Sequence, residues 1–333
     1  MSKMLDDSQS EQYRAARESA AWFDYSSIDV LACRGVDGPG LLQRLTTNDL
    51  SDLQPGGGKY TVLLSEKARI IDVVNVVRRE SDILLLMSPG AAAPARAWFT
   101  KYTIMEDFRT RDVSDDWRAL QFFGPHAVMR LAELGIDGAD DMTVGAWRNA
   151  ELFGAPVLLI KQAPMCEFCF LLCFNAEQAE AVFNGMRAIS AQVPQVDEDV
   201  YEVLRIEAGL GRRGSEWTDA FNPLEAGLVQ YISFTKGCYI GQEVIARLDS
   251  YNKVKQRLIG FVSTEAAPPG AQFHDETRQT GVITSTAFSP ELNTWISLGY
   301  LRSQYASYGA RHQALADDGG ACELEVVKLP FVH

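Results

Sequence analysis

The sequence has few positive charges and no long apolar run. Its 31 Lys and Arg residues are outnumbered by 44 Asp and Glu residues, which gives a net charge of −13. General nucleic-acid binding needs Lys and Arg to displace counterions, and polybasic segments hold proteins at anionic membranes. We therefore predict no direct nucleic-acid binding and no membrane role. No apolar stretch approaches the length that spans a bilayer.

Histidines are scarce, and we expect no secretion signal. The four histidines, at positions 126, 274, 312 and 333, are scattered and form no ligand pair. Zinc chemistry and Ser-His-Asp chemistry therefore have little support, and we predict no metal site. The first eleven residues are acidic and polar, unlike a signal peptide. Without such a signal, the six cysteines indicate reduced thiols in a cytoplasmic protein.

The order of sequence patterns predicts an α+β protein with a β-rich C-terminus. Residues 28–101 show a strand at 28–34, a helix at 38–45, β-type runs at 60–64, 70–78 and 82–88, and a helix at 92–101. Residues 117–188 begin with a strand at 117–123 and show a similar order, which suggests two α+β subdomains with antiparallel sheets. After residue 254, short β-type runs are separated by Gly, Pro and Ser, a pattern typical of a small barrel or sandwich. We predict a flexible leader at 1–22, the two subdomains within 23–252, and a β-barrel domain at 253–333. The boundary is expected near Asn252.

Three closely spaced cysteines could suggest a metal or iron–sulfur site. They are Cys166, Cys169 and Cys173, and the residues between them are mostly Phe and Leu. A cluster usually needs four ligands, and strand alternation places Cys166 on the other face from the remaining two. The spacing therefore favours packing of the thiols in a core.

The segment from Lys236 to Glu243 places Cys238 next to Gly237, close to a lysine, and just before an amphipathic run. A thiol near a lysine and a helix N-terminus tends to have a lowered pKa and a higher reactivity. The same spacing also suits a tight turn in which Cys238 is a small buried filler. Both interpretations stay open at this point. In either case, we expect a helix to start at Gln242.

Arg205 lies near the end of a predicted helix and also has two interpretations. Its guanidinium could clamp an aromatic heterocycle or a carboxylate. Alternatively, it could form a structural salt bridge with Glu207 and Glu225.

Several motifs resemble one known family. The sequence contains Arg205-x-Glu-Ala-Gly, Pro-Leu-Glu-Ala-Gly-Leu at 223–228, Lys-Gly-Cys-Tyr-Ile-Gly-Gln-Glu-Val at 236–244 and Leu-Thr-Thr-Asn-Asp-Leu at 45–50. These segments resemble the YgfZ family of folate-binding proteins, relatives of the glycine-cleavage T-protein (aminomethyltransferase). The similarity covers roughly residues 23–299, and its most specific part surrounds Cys238.

The resemblance implies a fold and a set of folate contacts. The fold would be a three-domain ring of the aminomethyltransferase/folate-binding type, with a C-terminal β-barrel and tetrahydrofolate in a central channel. By position, Tyr60 and Arg205 would be folate contacts, and Asn75 and Ser88 would lie near the same pocket.

The sequence departs from the T-protein pattern at two positions. Val73 occupies the position where T-proteins have the catalytic acid. Leu171 occupies the position where they have the glutamate that binds the pterin. Valine cannot accept a proton, and leucine cannot accept a hydrogen bond. Both changes argue against aminomethyl transfer. Asp72 could substitute, but strand alternation points it to the opposite face.

The resemblance therefore implies a cytoplasmic, tetrahydrofolate-binding accessory protein that supports assembly or repair of iron–sulfur proteins, including enzymes that modify tRNA. Its partners would be folate and iron–sulfur client proteins. Cys238 would be the functional thiol, tuned by Lys236 and by the helix start at Gln242. Two alternatives stay open: one-carbon transfer of the aminomethyltransferase type, and an interaction module that has lost folate.

Overall fold

The computed structural model describes residues 4–250, 254–276 and 278–332. They divide into two units. The sheet unit contains Arg14–Val196 and Gln230–Gln242, and the barrel unit contains Met1–Tyr13, Asp197–Val229 and Glu243–His333. The predicted boundary near Asn252 lies outside the described residues. Residues 197–229, predicted to belong with the subdomains, are part of the barrel unit.

Seven α-helices occur in the described ranges. They are α1 (Asp7–Glu18), α2 (Gly38–Leu45), α3 (Ala92–Tyr102), α4 (Ala127–Glu133), α5 (Ala179–Ala188), α6 (Glu198–Glu207) and α7 (Gln242–Ser250). Within the described ranges, no helix is long and apolar enough to cross a membrane.

Ten strands of the sheet unit form two antiparallel sheets. They are β1 (Ala21–Asp24), β2 (Asp29–Arg34), β3 (Gly58–Leu64), β4 (Ile70–Arg78), β5 (Ile83–Met87), β6 (Arg109–Asp112), β7 (Trp117–Phe123), β8 (Trp147–Leu152), β9 (Ala155–Lys161) and β10 (Cys169–Asn175). The first sheet has the order β3-β4-β5-β2-β6, and the second has the order β1-β7-β10-β9-β8. The antiparallel α+β prediction is confirmed.

The two sheets enclose an apolar core, and helices cover their other faces. Between the sheets, Val77 and Leu86 from the first pack with Ile160 and Leu171 from the second. Helices α2 and α3 bury their apolar sides on the first sheet. Helices α4 and α5 do the same on the second sheet. Because each sheet is apolar on both faces, its central strands read as nearly continuous hydrophobic runs.

The C-terminal strands close into a barrel. They are β11 (Gln256–Ser263), β12 (Gln272–Asp275), β13 (Arg278–Ser289), β14 (Thr294–Arg302), β15 (Arg311–Leu315) and β16 (Ala321–Val327). In the described ranges their order around the barrel is β11-β14-β13-β12-β15-β16. Phe261 and Phe273 stack inside it with their ring centroids 5.0 Å apart. The predicted barrel is confirmed.

The predicted flexible leader at 1–22 is wrong for most of its length. Residues 7–18 form α1, and residues 21–22 begin strand β1. Within the barrel unit, the buried Tyr13 hydroxyl donates to the Glu207 carboxylate at 2.8 Å. The helix was missed because its sequence is mostly polar, and only Tyr13 and Ala16 supply clearly buried apolar surface.

Candidate functional site

A cavity of about 510 Å³ opens in the sheet unit. This volume is within the range of small-molecule sites. Its lining comes from strand β3, which we call the cavity floor, and from four other segments, which we call its walls. The lining residues are Asn48, Gly58, Lys59, Tyr60, Thr143, Val144, Ala163, Pro164, Gln230 and Tyr231.

Two tyrosines give the cavity an aromatic surface. The rings of Tyr60 and Tyr231 lie 5.2 Å apart at an angle of 36°. Gln162 donates to the Tyr60 hydroxyl at 3.3 Å. Burial raises the pKa of both phenols, so they stay neutral at physiological pH. A neutral phenol with a fixed hydroxyl offers both a stacking surface and a hydrogen-bonding group to a flat ring.

Asn75, a predicted folate contact, lies directly opposite Tyr60 on β4. Its amide donates to the Gly145 carbonyl at 3.1 Å, while its Oδ1 has no hydrogen-bond partner among the described residues. Gly145 has φ +89°, and a Cβ there would lie 2.9 Å from the Tyr60 nitrogen. Only glycine therefore lets this loop approach β3 and accept the hydrogen bond from Asn75.

The register of β3 and β4 separates Val73 from Asp72. Val73 pairs with Val62 and so shares a face with Tyr60, whereas Asp72 pairs with Leu63. Leu63 belongs to the core under α2 and α3. Asp72 is fully buried on that face, where its carboxylate accepts the backbone N–H of Ser88 at 2.9 Å. The predicted opposite orientation of Asp72 is confirmed. Ser88 is not among the residues that line the cavity.

The Cys238 loop lies on the segment that follows α2. Cys238 is exposed, so its interpretation as a buried filler is wrong. Lys236 is only 8% exposed, and its ammonium donates to the carbonyls of Gln43 at 2.6 Å, Thr46 at 3.0 Å and Asn48 at 2.5 Å. Helix α7 starts at Gln242, as predicted.

The Lys236 ammonium uses its hydrogen bonds on these three carbonyls. Burial lowers the pKa of Lys236 to about 8, and the Asp49 carboxylate opposes this shift. The side chain is therefore mostly an ammonium at pH 7, and its three N–H groups match three acceptors. Tuning of the Cys238 thiol by this lysine stays a prediction.

Arg205 lies in a buried network of the barrel unit. Its Nη1 donates to Glu216 at 3.1 Å and to the Leu210 carbonyl. Its Nη2 donates to Ser285 at 2.8 Å, and Nε and Nη2 both bind the Glu202 carboxylate. All five N–H groups of the guanidinium are thereby used. A folate contact through Arg205 stays a prediction, and it would have to replace one of these bonds.

Arg205 forms a structural salt bridge, as one interpretation predicted, but its partners are Glu202 and Glu216 rather than Glu207 and Glu225. Glu207 instead accepts hydrogen bonds from Tyr13 and from Ser289, the latter at 2.5 Å. Glu225 accepts the backbone N–H of Asn222 at 3.0 Å. The positions of these four glutamates in the sequence did not indicate which of them would pair with Arg205.

The closely spaced cysteines are packing residues, as predicted. Cys169 and Cys173 are buried in β10, and burial raises the pKa of both thiols. Among the described residues, no group of three potential metal-ligating side chains comes together.

Two five-stranded antiparallel sheets with outer helices, followed by a closed barrel, define the class of protein. Residues 2–236 match the family model described as the GCVT N-terminal domain. Residues 256–333 match the model described as the glycine cleavage T-protein C-terminal barrel domain. The chain therefore belongs to the glycine cleavage T-protein family.

Individual relatives agree with this assignment. The aminomethyltransferase of Geobacillus kaustophilus is 28% identical over 96% of this chain and 89% of its own length. A chloroplastic protein of Arabidopsis thaliana with a provisional transferase name is 28% identical over 86% of this chain, and the match spans 66% of the plant protein. The crystal structure of aminomethyltransferase T from Bartonella henselae covers 97% of this chain and matches 89% of its own, with a TM-score of 0.84 and 22% identity. That likeness supports the fold.

Three residues of the site were not predicted. Tyr231 lies five residues before Lys236, and Asn48 lies within the Leu-Thr-Thr-Asn-Asp-Leu segment, so both were close to recognised motifs. Gln162 directly follows the buried strand β9. A polar residue at the end of such a strand is a usable signal for a site.

Proposed function

We propose that this chain is a tetrahydrofolate-binding protein of the YgfZ type that does not carry out aminomethyl transfer. The observation that carries the proposal is the cavity at Tyr60 and Tyr231, with Val73 rather than a carboxylate on the same sheet face. The two rings offer a stacking surface to the pyrimidine part of the pterin. The cavity volume of about 510 Å³ suits the heterocycle of a folate.

The missing carboxylate argues against chemistry on the folate. Aminomethyl transfer needs a group that can accept a proton, and Val73 cannot do so. Asp72 points into the opposite core, where it binds the Ser88 backbone. We therefore assign folate the role of a bound ligand.

Cys238 is the group we propose for the function itself. It is exposed on a loop that Lys236 anchors, directly before α7. We propose that this thiol supports assembly or repair of iron–sulfur proteins in the cytoplasm, among them tRNA-modifying enzymes. Asn75, directly opposite Tyr60 on β4, is proposed as a supporting folate contact.

Titration with tetrahydrofolate under anaerobic conditions tests the ligand. A ligand of the native state raises the melting temperature. Tyr60→Ala should weaken binding about two- to twelvefold, because a stacked aromatic pair contributes about 0.5–1.5 kcal/mol. The matched control is Tyr102→Ala, because the Tyr102 ring packs at a tilt against Trp98 and does not line the cavity. No heat and no thermal shift at millimolar ligand would instead favour an interaction module without folate.

Complementation tests the thiol. Cys238→Ala should abolish rescue of a strain that lacks the family member while the variant stays folded. Cys322→Ala, which changes a buried thiol of the barrel, should keep rescue. Full rescue by Cys238→Ala would remove the proposed role of the thiol.

Aminomethyl transfer is the second candidate, favoured by the match to aminomethyltransferases over nearly the whole chain. It predicts folate-dependent release of ammonia from an aminomethyl-lipoyl carrier. Detection of that release with the purified chain would reverse the ranking.

A further inference from the structure

The loop that carries Cys238 is attached to the post-α2 segment along its length. Residues 231–240 run beside residues 44–48, and backbone or side-chain hydrogen bonds join them at intervals. Besides those of Lys236, the bonds are Thr47 Oγ1 to the Tyr231 carbonyl at 2.7 Å, Ser233 N–H to the Thr47 carbonyl at 3.0 Å, and Ile240 N–H to the Arg44 carbonyl at 3.0 Å.

Lys236 lies at the centre of this attachment. The carbonyl of Gln43 belongs to the last turn of α2, where carbonyls lack intrahelical partners. The carbonyls of Thr46 and Asn48 follow in the connecting segment. A lysine ammonium has three donors, so one side chain satisfies all three acceptors in a buried position.

One of these acceptors belongs to the cavity wall. Asn48 lines the cavity, its carbonyl accepts from Lys236, and its side-chain amide donates to the Tyr60 carbonyl at 2.7 Å. Tyr231, at the other end of the attached loop, packs against the Tyr60 ring at a tilt of 36°. Lys236 does not line the cavity, yet it holds the residue that fixes the backbone of the cavity floor.

We propose that Lys236 is a positioning residue that holds Asn48 and Tyr231 in the wall of the folate cavity and couples occupancy of the cavity to the loop carrying Cys238. The inference rests on the proposed folate function. A ligand packed against Tyr60 and Tyr231 favours the observed arrangement of residues 231–240, and the attached loop in turn favours the ligand. Such coupling is reciprocal in binding free energy.

Calorimetric titration of three proteins with tetrahydrofolate tests the coupling. Lys236→Met should bind about tenfold more weakly than the unmodified chain, within the usual range of coupling between sites. Lys161→Met is the matched control, because Lys161 is a buried lysine of the same unit and is 9% exposed. Its Nζ lies 4.2 Å from the Phe170 ring centroid and has no hydrogen-bond partner among the described residues. It should bind within about twofold of the unmodified chain, because its side chain is not connected to the cavity wall.

Hydrogen exchange gives a second measurement that does not depend on a variant. In the unmodified chain, saturating tetrahydrofolate should slow exchange of the Ser233 and Ile240 amides about fivefold or more, because opening of the loop becomes less frequent. The same ligand should give no such protection in Lys236→Met. If that variant does not fold, the unmodified chain alone decides the question.

The possible results separate the coupling from the folate proposal. If the unmodified chain binds tetrahydrofolate and Lys236→Met binds it with equal affinity, the coupling is overturned and the folate proposal stands. The same conclusion follows if the unmodified chain binds the ligand but exchange of both amides is unchanged. Equal losses in Lys236→Met and Lys161→Met also overturn it, since they would reflect general damage. Absence of binding to the unmodified chain overturns both.

Discussion

Replacing Arg205 by methionine should strongly destabilise the barrel unit. The side chains of Arg205 and Glu216 are 3% and 0% exposed and lie 3.1 Å apart. Methionine fills much of the space but supplies none of the five donors, which leaves the buried Glu216 carboxylate without its cationic partner. Removal of one member of a buried ion pair costs about 3–5 kcal/mol of the free energy of unfolding.

A double-mutant cycle with Glu216→Leu separates the pair from its surroundings. The double variant should lose less than the sum of the two single variants, with a coupling of about 2 kcal/mol or more, because it leaves no lone buried charge. Urea denaturation measures each free energy of unfolding.

Arg212→Met is the matched control for this cycle. Arg212 also bridges two acidic side chains, Glu198 and Glu202, but it is 47% exposed. Its loss should cost less than about 1 kcal/mol, as is usual for surface pairs. A loss below about 1 kcal/mol for Arg205→Met, together with a large loss of folate affinity, would refute the structural assignment and favour Arg205 as a ligand contact.

Other predictions concern the sheet unit. A thiol reagent at pH 8 should modify one cysteine quickly in the native chain and six in denaturant, and Cys238→Ser should remove the fast reaction, because the other five thiols are buried. Gly145→Ala should cost about 1–3 kcal/mol of the free energy of unfolding and weaken folate binding, since its φ is +89° and the added Cβ would press on Tyr60. The folded pKa of Lys236, about 8, lies below its ordinary value of 10.5, so the unfolded chain binds more protons between these pH values. The stability of the unmodified chain relative to Lys236→Met should therefore rise as the pH increases from 8 to 10.5, as measured by urea denaturation.

Strong local patterns predicted most of the fold. Helix α2 and strand β7 have the predicted ends, because an apolar face or a continuous buried run defines each of them. Strands β6 and β12 were not predicted. They are four residues long and read Arg-Thr-Arg-Asp and Gln-Phe-His-Asp, so their pairing with neighbours, rather than their composition, makes them strands.

The site was predictable only in part, because its walls come from distant segments. Tyr60 was predicted and does line the cavity, whereas Tyr231 packs against it from a segment 171 positions later in the numbering. Periodicity indicates which face of a strand a residue occupies, and this was enough to separate Asp72 from Val73. Periodicity does not apply to a loop. The sequence therefore singled out Lys236 but gave no sign of its three carbonyl partners.

The motif residues differ in how much of their bonding capacity the fold already uses. Arg205 donates all five of its hydrogen bonds within the barrel unit, and Lys236 donates all three within the sheet unit. A ligand that recruited either side chain would first have to break a charge-assisted hydrogen bond, at a cost of about 1.5–3 kcal/mol. The ring faces at Tyr60 and the exposed sulfur of Cys238 require no such exchange. Ligand and partner chemistry should therefore concentrate on Tyr60 and Cys238, while Arg205 and Lys236 keep the surrounding backbone in place.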